Sequence, residues 1–432
     1  MYYFYEFQAI EKKLSEMAER GWMIEKMGLY FWTYRPIEPK KISFAAVYSP
    51  KLAEFAPDGA EELEQLKEYG AWSGWKHAAR WNGKLQVFYN EDPDPIPMET
   101  DAAVQLENIH KAMKKTMLVG NTLLAGLAVL QLLMQGKSFF KRAADTFCDY
   151  SQISLFTAWV FLLIAVLLPV FKYLFWYGKA KKTAAEGFLP DSSAGHTAVN
   201  VFSGISMVLA ASSILFMGSG VLGVVLLMVG VVVWVGLVNR MKNFMREKGV
   251  SKGVNTAVTI GLIIIVTFVW TLGSGYYIFR KVTEQARQTA PENHPEEMLL
   301  QISELTGEEQ ERYTAEKEEW ETVFLKKTQY RQNVKNVHER GGYLYYTVYE
   351  VKQPFLMQTV KNSLLRTESY EVPYREAEAA EWGAERVYQQ KDGETEQNSF
   401  LLCRDDRIVT IETAETPNEK QKKQLTEKLF VL

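Results

Sequence analysis

Cysteine is nearly missing from this chain: Cys148 and Cys403 are the two among 432 residues. That excludes a small secreted scaffold held together by disulfides. Catalytic signatures are scarce as well. His77, His110, His196, His294 and His338 are scattered without a His-x-x-x-His pair, so zinc catalysis has no scaffold. Neither a Walker-type loop, nor HExxH, nor GxSxG is present. Acid is scarce in one place only. Residues 111–279 carry 15 Lys and Arg but five acidic groups, Asp145, Asp149, Glu186, Asp191 and Glu247. The flanks are acidic instead, with 12 basic against 18 acidic residues over 1–110 and 22 against 29 over 280–432. Phosphate contacts need Lys and Arg, so direct nucleic-acid binding through either flank is excluded. The net charge of −3 and mean hydropathy of −0.17 average over this division and hide it.

What fills the middle is long stretches without charge. A hydrocarbon core about 30 Å thick takes about 20 apolar residues of helix. Five runs meet or approach that length: 117–135, 154–174, 199–217, 221–238 and 256–279. The expected fold class is therefore a membrane all-α bundle of five transmembrane helices over 117–279, with an N-terminal α+β domain over 1–91, a linker and juxtamembrane helix over 92–116, and a small C-terminal α+β domain over 280–432. Basic residues are retained on the cytoplasmic side. With the N-terminus inside, the inner flanks hold 11 of them (Lys111, Lys114, Lys115, Lys179, Lys181, Lys182, Arg240, Lys242, Arg246, Lys248, Lys252) and the outer flanks six (Lys137, Lys141, Arg142, Arg280, Lys281, Arg287). An odd number of spans then places 280–432 outside the cytoplasmic membrane. No removable signal peptide is expected, so the first span directs insertion.

No ionisable residue lies at bilayer depth. Lys172 sits at the cytoplasmic end of the second span, and Asn121 and Gln131 are the strongly polar residues of the first. Proton-coupled transport and a charge-selective pore are disfavoured on that ground, whereas a groove for lipids or apolar ligands is not. Ser206, Ala210 and Ser213 form a small-residue stripe, and Gly223 and Gly230 follow on the next span; close transmembrane packing is their expected role. Pro169 is placed to kink the second span.

The N-terminal segment reads as strand, helix, strand, strand, helix, strand. Met1–Phe7 is aromatic and strand-like; Ile10, Leu14, Met17 and Ala18 recur at helical spacing, with Gly21 as the stop. A strand from about Trp22 to Arg35 follows, then Ile42–Tyr48, a helix capped by Asp58 and ended by Gly70, and two strands, Lys76–Trp81 and Leu85–Tyr89, joined through Asn82-Gly83. A ferredoxin-like sandwich is the simplest closure, with helices on one face. Within 28–35, Tyr30, Trp32 and Tyr34 share one face and Leu29, Phe31 and Thr33 the other. The Tyr30, Trp32, Tyr34 face is the candidate docking surface, for a second copy, the membrane block, a protein partner or a ligand.

The strings EKKLSEMAERGWMIEKMGLYFWTYRP, KISFAAVYSP and EYGAWSGWKHAARWNGKLQVFYNED resemble the domain-of-unknown-function 2812 family of bacterial proteins over about residues 1–115. The helix-Gly-Trp strand start and the Tyr-rich strand carry the likeness; an extra Ala71-Trp72-Ser73 ahead of Gly74-Trp75 departs from it. The resemblance implies membrane spans after the domain and, through a PadR-like repressor gene neighbourhood, a cytoplasmic regulatory partner. It implies no catalytic residues.

After Phe279 the chain becomes charge-dense. Residues 281–335 read as helical, with a capping box at Thr306-Gly307-Glu308-Glu309 and Tyr313, Trp320 and Phe324 on one face. A strand over 342–349, a helix over Phe355–Arg366, strands over Glu385–Gln390, Ser399–Arg404 and Arg407–Glu412, and a final amphipathic helix with Leu425, Leu429 and Phe430 complete a small α+β domain. Cys148 and Cys403 fall on the same side and are left open as a pair. A domain on each side of the membrane suggests a sensor or regulatory protein coupling an external domain to a cytoplasmic protein-interaction domain. Alternatives are a protein handling lipids or apolar antimicrobial compounds, and a structural or assembly factor. No enzyme, cofactor or metal site is expected; the expected partners are membrane lipids, a further copy of the chain and a cytoplasmic regulatory protein.

Overall fold

The computed structural model describes residues 3–28, 31–48, 55, 61–81, 85–98, 101–192, 196–216, 220–288, 295–306, 313–334, 342–366, 372–393 and 395–430. They form a mixed helix and sheet protein of two compact units. One comprises Met1–Leu130, Trp159–Val208 and Val221–Tyr277, the other Gln131–Ala158, Leu209–Gly220 and Ile278–Leu432.

In the first unit, α1 (Phe7–Glu19) buries Phe7, Ile10, Leu14 and Ala18 at helical spacing. Gly21, at φ +88°, turns the chain out of it and donates to Ala18 O. Strands β1 (Trp22–Met27) and β2 (Trp32–Pro36) form an antiparallel hairpin. Next come β3 (Ser43–Tyr48), α2 (Glu61–Trp72), β4 (Lys76–Trp81) and β5 (Leu85–Asn90), the three strands pairing in the order β3-β5-β4. One apolar cluster joins α1, the hairpin and Phe44, Ala46 and Val87; a second, of Val47, Trp75, Phe88 and Met98 with Leu66 of α2, lies on residues of opposite parity in the same strands. Asp101 caps α3 (Ala102–Met113), accepting from Ala103 N and Val104 N at 2.8 and 3.1 Å.

The α3 helix runs through a π-helical turn at Lys114–Leu118 into α4 (Val119–Lys141). A short α5 (Ala143–Thr146) precedes α6 (Tyr150–Thr183), followed by α7 (His196–Ile214), α8 (Gly220–Glu247) and α9 (Lys252–Gln288). By length and composition, three helical stretches among the described residues can cross a membrane: Ala102–Lys141, Tyr150–Glu186 and Lys252–Tyr277; Ala198–Ile214 is a shorter apolar helix. Just 6% of the apolar window of the last stretch is buried, and Ile264, Ile265, Phe268, Val269 and Leu272 are exposed. So much uncovered apolar surface needs lipid or protein around it. Asn121, a polar residue in the first apolar run, donates through Nδ2 to Val166 O at 3.0 Å, on the turn of α6 where Pro169 interrupts the backbone ladder.

In the second unit, α10 (Ile302–Thr306), β6 (Tyr313–Glu321), β7 (Leu325–Val334), β8 (Tyr343–Val351), α11 (Met357–Leu365), β9 (Tyr374–Ala377), β10 (Arg386–Asp392), β11 (Thr395–Arg404), β12 (Arg407–Thr413) and α12 (Glu419–Phe430) build one antiparallel sheet and its covers. Strand order is β6-β7-β8-β12-β11-β10-β9. One face buries Tyr330, Leu344, Tyr346, Val348, Phe400, Leu402, Val409 and Ile411 beneath Leu425 and Leu429 of α12 and the 298–302 segment. The other face buries Leu325, Tyr349, Val351, Leu401, Cys403 and Ile408. Its cover is α11, through Leu356 and Val360, together with Phe139, Ala143, Ala144, Phe147 and Cys148 from the turn between α4 and α6.

Several expectations change. Phe4–Glu6 is a 3-10 turn entering α1, not a strand, because Tyr5 is buried against Tyr173 and Trp176. Without a first strand the ferredoxin-like sheet does not close: β1-β2 and β3-β5-β4 are separate sheets. The single strand expected over 22–35 folds back at Gly28, whose N–H donates to Phe31 O at 3.0 Å. Gly70 lies inside α2, where a Cβ would stand 3.2 Å from Met98 and 3.3 Å from the Phe88 ring; Gly74, at φ +79°, follows the helix end. Residues 313–334 are a β-hairpin instead of helix, since alternation places Ala315, Tyr330 and Val334 on one buried face. Asp58, Asn82-Gly83 and Gly307-Glu308-Glu309 lie outside the described residues.

Candidate functional site

Among the described residues, part of the second sheet face carries no apolar cover, and its residues are polar in register. Because side chains alternate, one row runs directly across five strands: Glu316, Arg331, Tyr345, Glu412 and Ser399. The next row is Gln329, Thr347 and Thr410, and Asn333 pairs with Tyr343 on the other side. Apart from Tyr343, these side chains floor a groove of about 620 Å³, walled by Leu364 of α11 and Tyr374 of β9. The volume falls within the roughly 300–1,000 Å³ usual for small-molecule sites.

Local bonds hold the lining. The Tyr345 hydroxyl donates to Asn333 Oδ1, Tyr343 and Tyr345 stack with centroids 5.0 Å apart, and the Tyr374 hydroxyl pairs with Ser399 Oγ at 3.0 Å. Burial first, and then the Glu412 charge, hold the Tyr343 phenol above its ordinary pKa, so it stays a hydrogen-bond donor at any physiological pH. The groove thus offers one guanidinium, two carboxylates, amides and hydroxyls. Among the described residues no group of three or more His, Cys, Asp or Glu is placed to hold a metal.

Beyond the groove, the same face is welded to the 139–148 turn. Thr322 Oγ1 donates to Phe147 O at 2.5 Å, Ala144 N donates to Ser363 Oγ at 3.0 Å, and Lys327 pairs with Asp145 at 2.8 Å while lying 4.9 Å from the Trp320 ring centroid. Cys148 and Cys403 belong to this cluster as free, buried thiols. Burial pushes each up to about 11.

In the first unit, the end of α6 enters the N-terminal core. Tyr173 is fully buried, with Tyr5 at 5.3 Å and its hydroxyl 2.8 Å from His110 Nδ1; Trp176 Nε1 donates to Pro190 O at 3.0 Å. Glu6 is buried beside them, and burial pushes its carboxyl up to about 7 against the opposing Tyr3 N–H and Lys172 charge. A smaller hollow of about 400 Å³ lies by Gln8, Glu11, Trp75 and Pro97.

Of the residues singled out from sequence, Trp32 and Tyr34 are half-buried on their own domain's core, with Trp32 edge-on to Trp81 at 6.3 Å. That face is therefore covered in part from within, and Tyr30 lies outside the described residues. Ser206 and Ser213 are buried and Ala210 half-buried. Gly230 gives space to Trp270, whose ring would lie 1.6 Å from an added Cβ. Gly223 lies in α8, and its surroundings are outside the described residues. It also ends a Gly218-Ser219-Gly220-Val221-Leu222-Gly223 run with dinucleotide-loop spacing, but α7 precedes it where that loop needs a strand. The groove residues escaped the sequence reading because β6 and β7 read as helix. The signal present was the alternation of Tyr343, Tyr345 and Thr347 against Leu344, Tyr346 and Val348.

Residues 6–120 match the family model described as protein of unknown function (DUF2812), the segment in which the resemblance was found. No curated protein and no solved structure matches the chain.

Proposed function

We propose that the chain is a five-span bacterial membrane sensor, with residues 1–110 at the cytoplasmic face and 280–432 outside. A ligand in the sheet groove acts on the helices through the 139–148 turn. The observation carrying this reading is that the turn is core to the sheet domain, and that α6, which begins two residues later, adds Ile153 and Phe156 to the same cluster. A change in the sheet face is then a change at the start of α6. At its other end α6 supplies Tyr173, Trp176 and Ala180 to the N-terminal core. Packed interfaces transmit displacement because they switch between arrangements instead of deforming smoothly.

The basic residues flanking the apolar runs, 11 against six with the N-terminus inside, support the topology. The hollow lined by Gly230, Val231, Trp234, Thr267 and Trp270 encloses about 110 Å³, less than an acyl chain fills.

Transcript profiling of cells under cell-wall stress tests the proposal. The response carried by the full chain is lost on deleting 281–432 and in Phe147→Ala, with the protein still in the membrane. A response that persists in both refutes it.

A further inference from the structure

We infer that the groove takes a linear glycan, an uncharged or zwitterionic chain of pyranose rings lying across the strands. The inference rests on the sensor reading and specifies its ligand. Adjacent strands stand about 4.8 Å apart, so Glu316, Arg331, Tyr345, Glu412 and Ser399 present hydrogen-bonding groups at that repeat along one line. The repeat of an extended pyranose chain is close to this spacing, so successive rings meet successive side chains. Planar carboxylate, guanidinium and amide groups suit the paired hydroxyls of a sugar, and the Tyr345 ring, held by stacking on Tyr343, offers an aromatic surface for its apolar face.

Other ligand classes fit less well. Two carboxylates beside a single guanidinium do not attract a polyanion, which disfavours nucleic acid and anionic lipid headgroups. An extended peptide adds to a sheet edge. Here four of the five floor strands, β7, β8, β12 and β11, are each paired on both sides with their backbone donors taken, so a peptide could add only along the outer edge of β6 and not across the floor. An apolar compound would leave Arg331, Glu316 and Glu412 unsatisfied beneath it.

The test is calorimetric titration of the full-length chain in lipid nanodiscs with chitotetraose, with cellotetraose and with mannotetraose. Binding of at least one is expected. Arg331→Gln and Glu412→Gln should each weaken it tenfold or more, and Tyr345→Phe less, while Lys420→Gln on exposed α12 leaves it unchanged. A ligand of N-acetylated sugars gives its strongest binding with chitotetraose, whereas equal binding of all three marks a general glycan site; either supports the inference. Melting temperatures within a few degrees of wild type show that the variants fold. Absence of binding to all three probes, or groove variants that bind as wild type, overturns it. Failure here leaves the stress response of the Phe147→Ala and deletion strains untouched, so the two proposals fail separately.

Discussion

Replacing Phe147 with Ala removes the ring that ties the 139–148 turn to the C-terminal sheet. Phe147 is 9% exposed and meets Phe139 at 5.1 Å and Phe324 at 5.7 Å, both edge-on. Deleting a buried Phe side chain costs about 3–5 kcal/mol, including the cavity left behind. The bond from the Thr322 hydroxyl to the Phe147 carbonyl survives the substitution, which keeps the loss near the lower figure. With tenfold per 1.4 kcal/mol, the population of the opened sheet face should rise by about two decades or more. Hydrogen exchange of the full chain in detergent reads this directly, as faster exchange across Leu325–Val334 with α1 and β3 unaffected. Phe355, 71% exposed, supplies the control: Phe355→Ala should change exchange by less than about 0.5 kcal/mol. A Phe147→Ala effect no larger than that control would show that the turn does not belong to the sheet's core, and the coupling argument would lose its physical basis.

Glu6 sets a pH dependence. Its folded pKa lies near 7, above the usual carboxylate value, so the folded form holds a proton that the unfolded chain releases from about pH 4.5. Stability therefore falls as pH rises from about 4.5 to 7, by at most about 1.4 kcal/mol per pH unit. Glu6→Gln should flatten the melting temperature over that window, and an unchanged slope would contradict the assignment. The two cysteines should resist an aqueous thiol reagent in the native protein and both react after denaturation without reductant; a thiol count of zero under those conditions would reveal a disulfide. Gly230→Ala should destabilise the helices by about 1–3 kcal/mol through collision with Trp270, and Gly230→Ala with Trp270→Ala should recover part of that loss; additive effects in detergent melting would deny the contact.

The elements easiest to foresee were those with one clean period. Charge-free runs announced long apolar helices, three stretches of which are long enough to cross a membrane, and β3, β4, β5, β12, α11 and α12 stand within a few residues of where alternation or helical spacing put them. The β6–β7 hairpin was illegible because its outward face is crowded with Glu and Lys, and such density along an edge strand has no helical or strand period of its own. Tyr5 was misread because an aromatic residue that serves a tertiary contact with Tyr173 looks like strand composition. The 139–148 turn carried a usable signal: Phe139, Phe140, Phe147 and Cys148 are too apolar for a solvated connection and implied a cover. What could not be read was which sheet face they would meet, since that depends on strand order over residues distant in sequence.

The central claim is that the two folded domains face different compartments. Buried Cys148 and Cys403 give little background, so a membrane-impermeant maleimide can be applied to intact cells carrying Lys420→Cys on α12 or Lys12→Cys on α1, both exposed positions. The account predicts labelling of Lys420→Cys before permeabilisation and of Lys12→Cys only after it. Both cysteines labelled together, or both protected together, would place the domains on one side and contradict it.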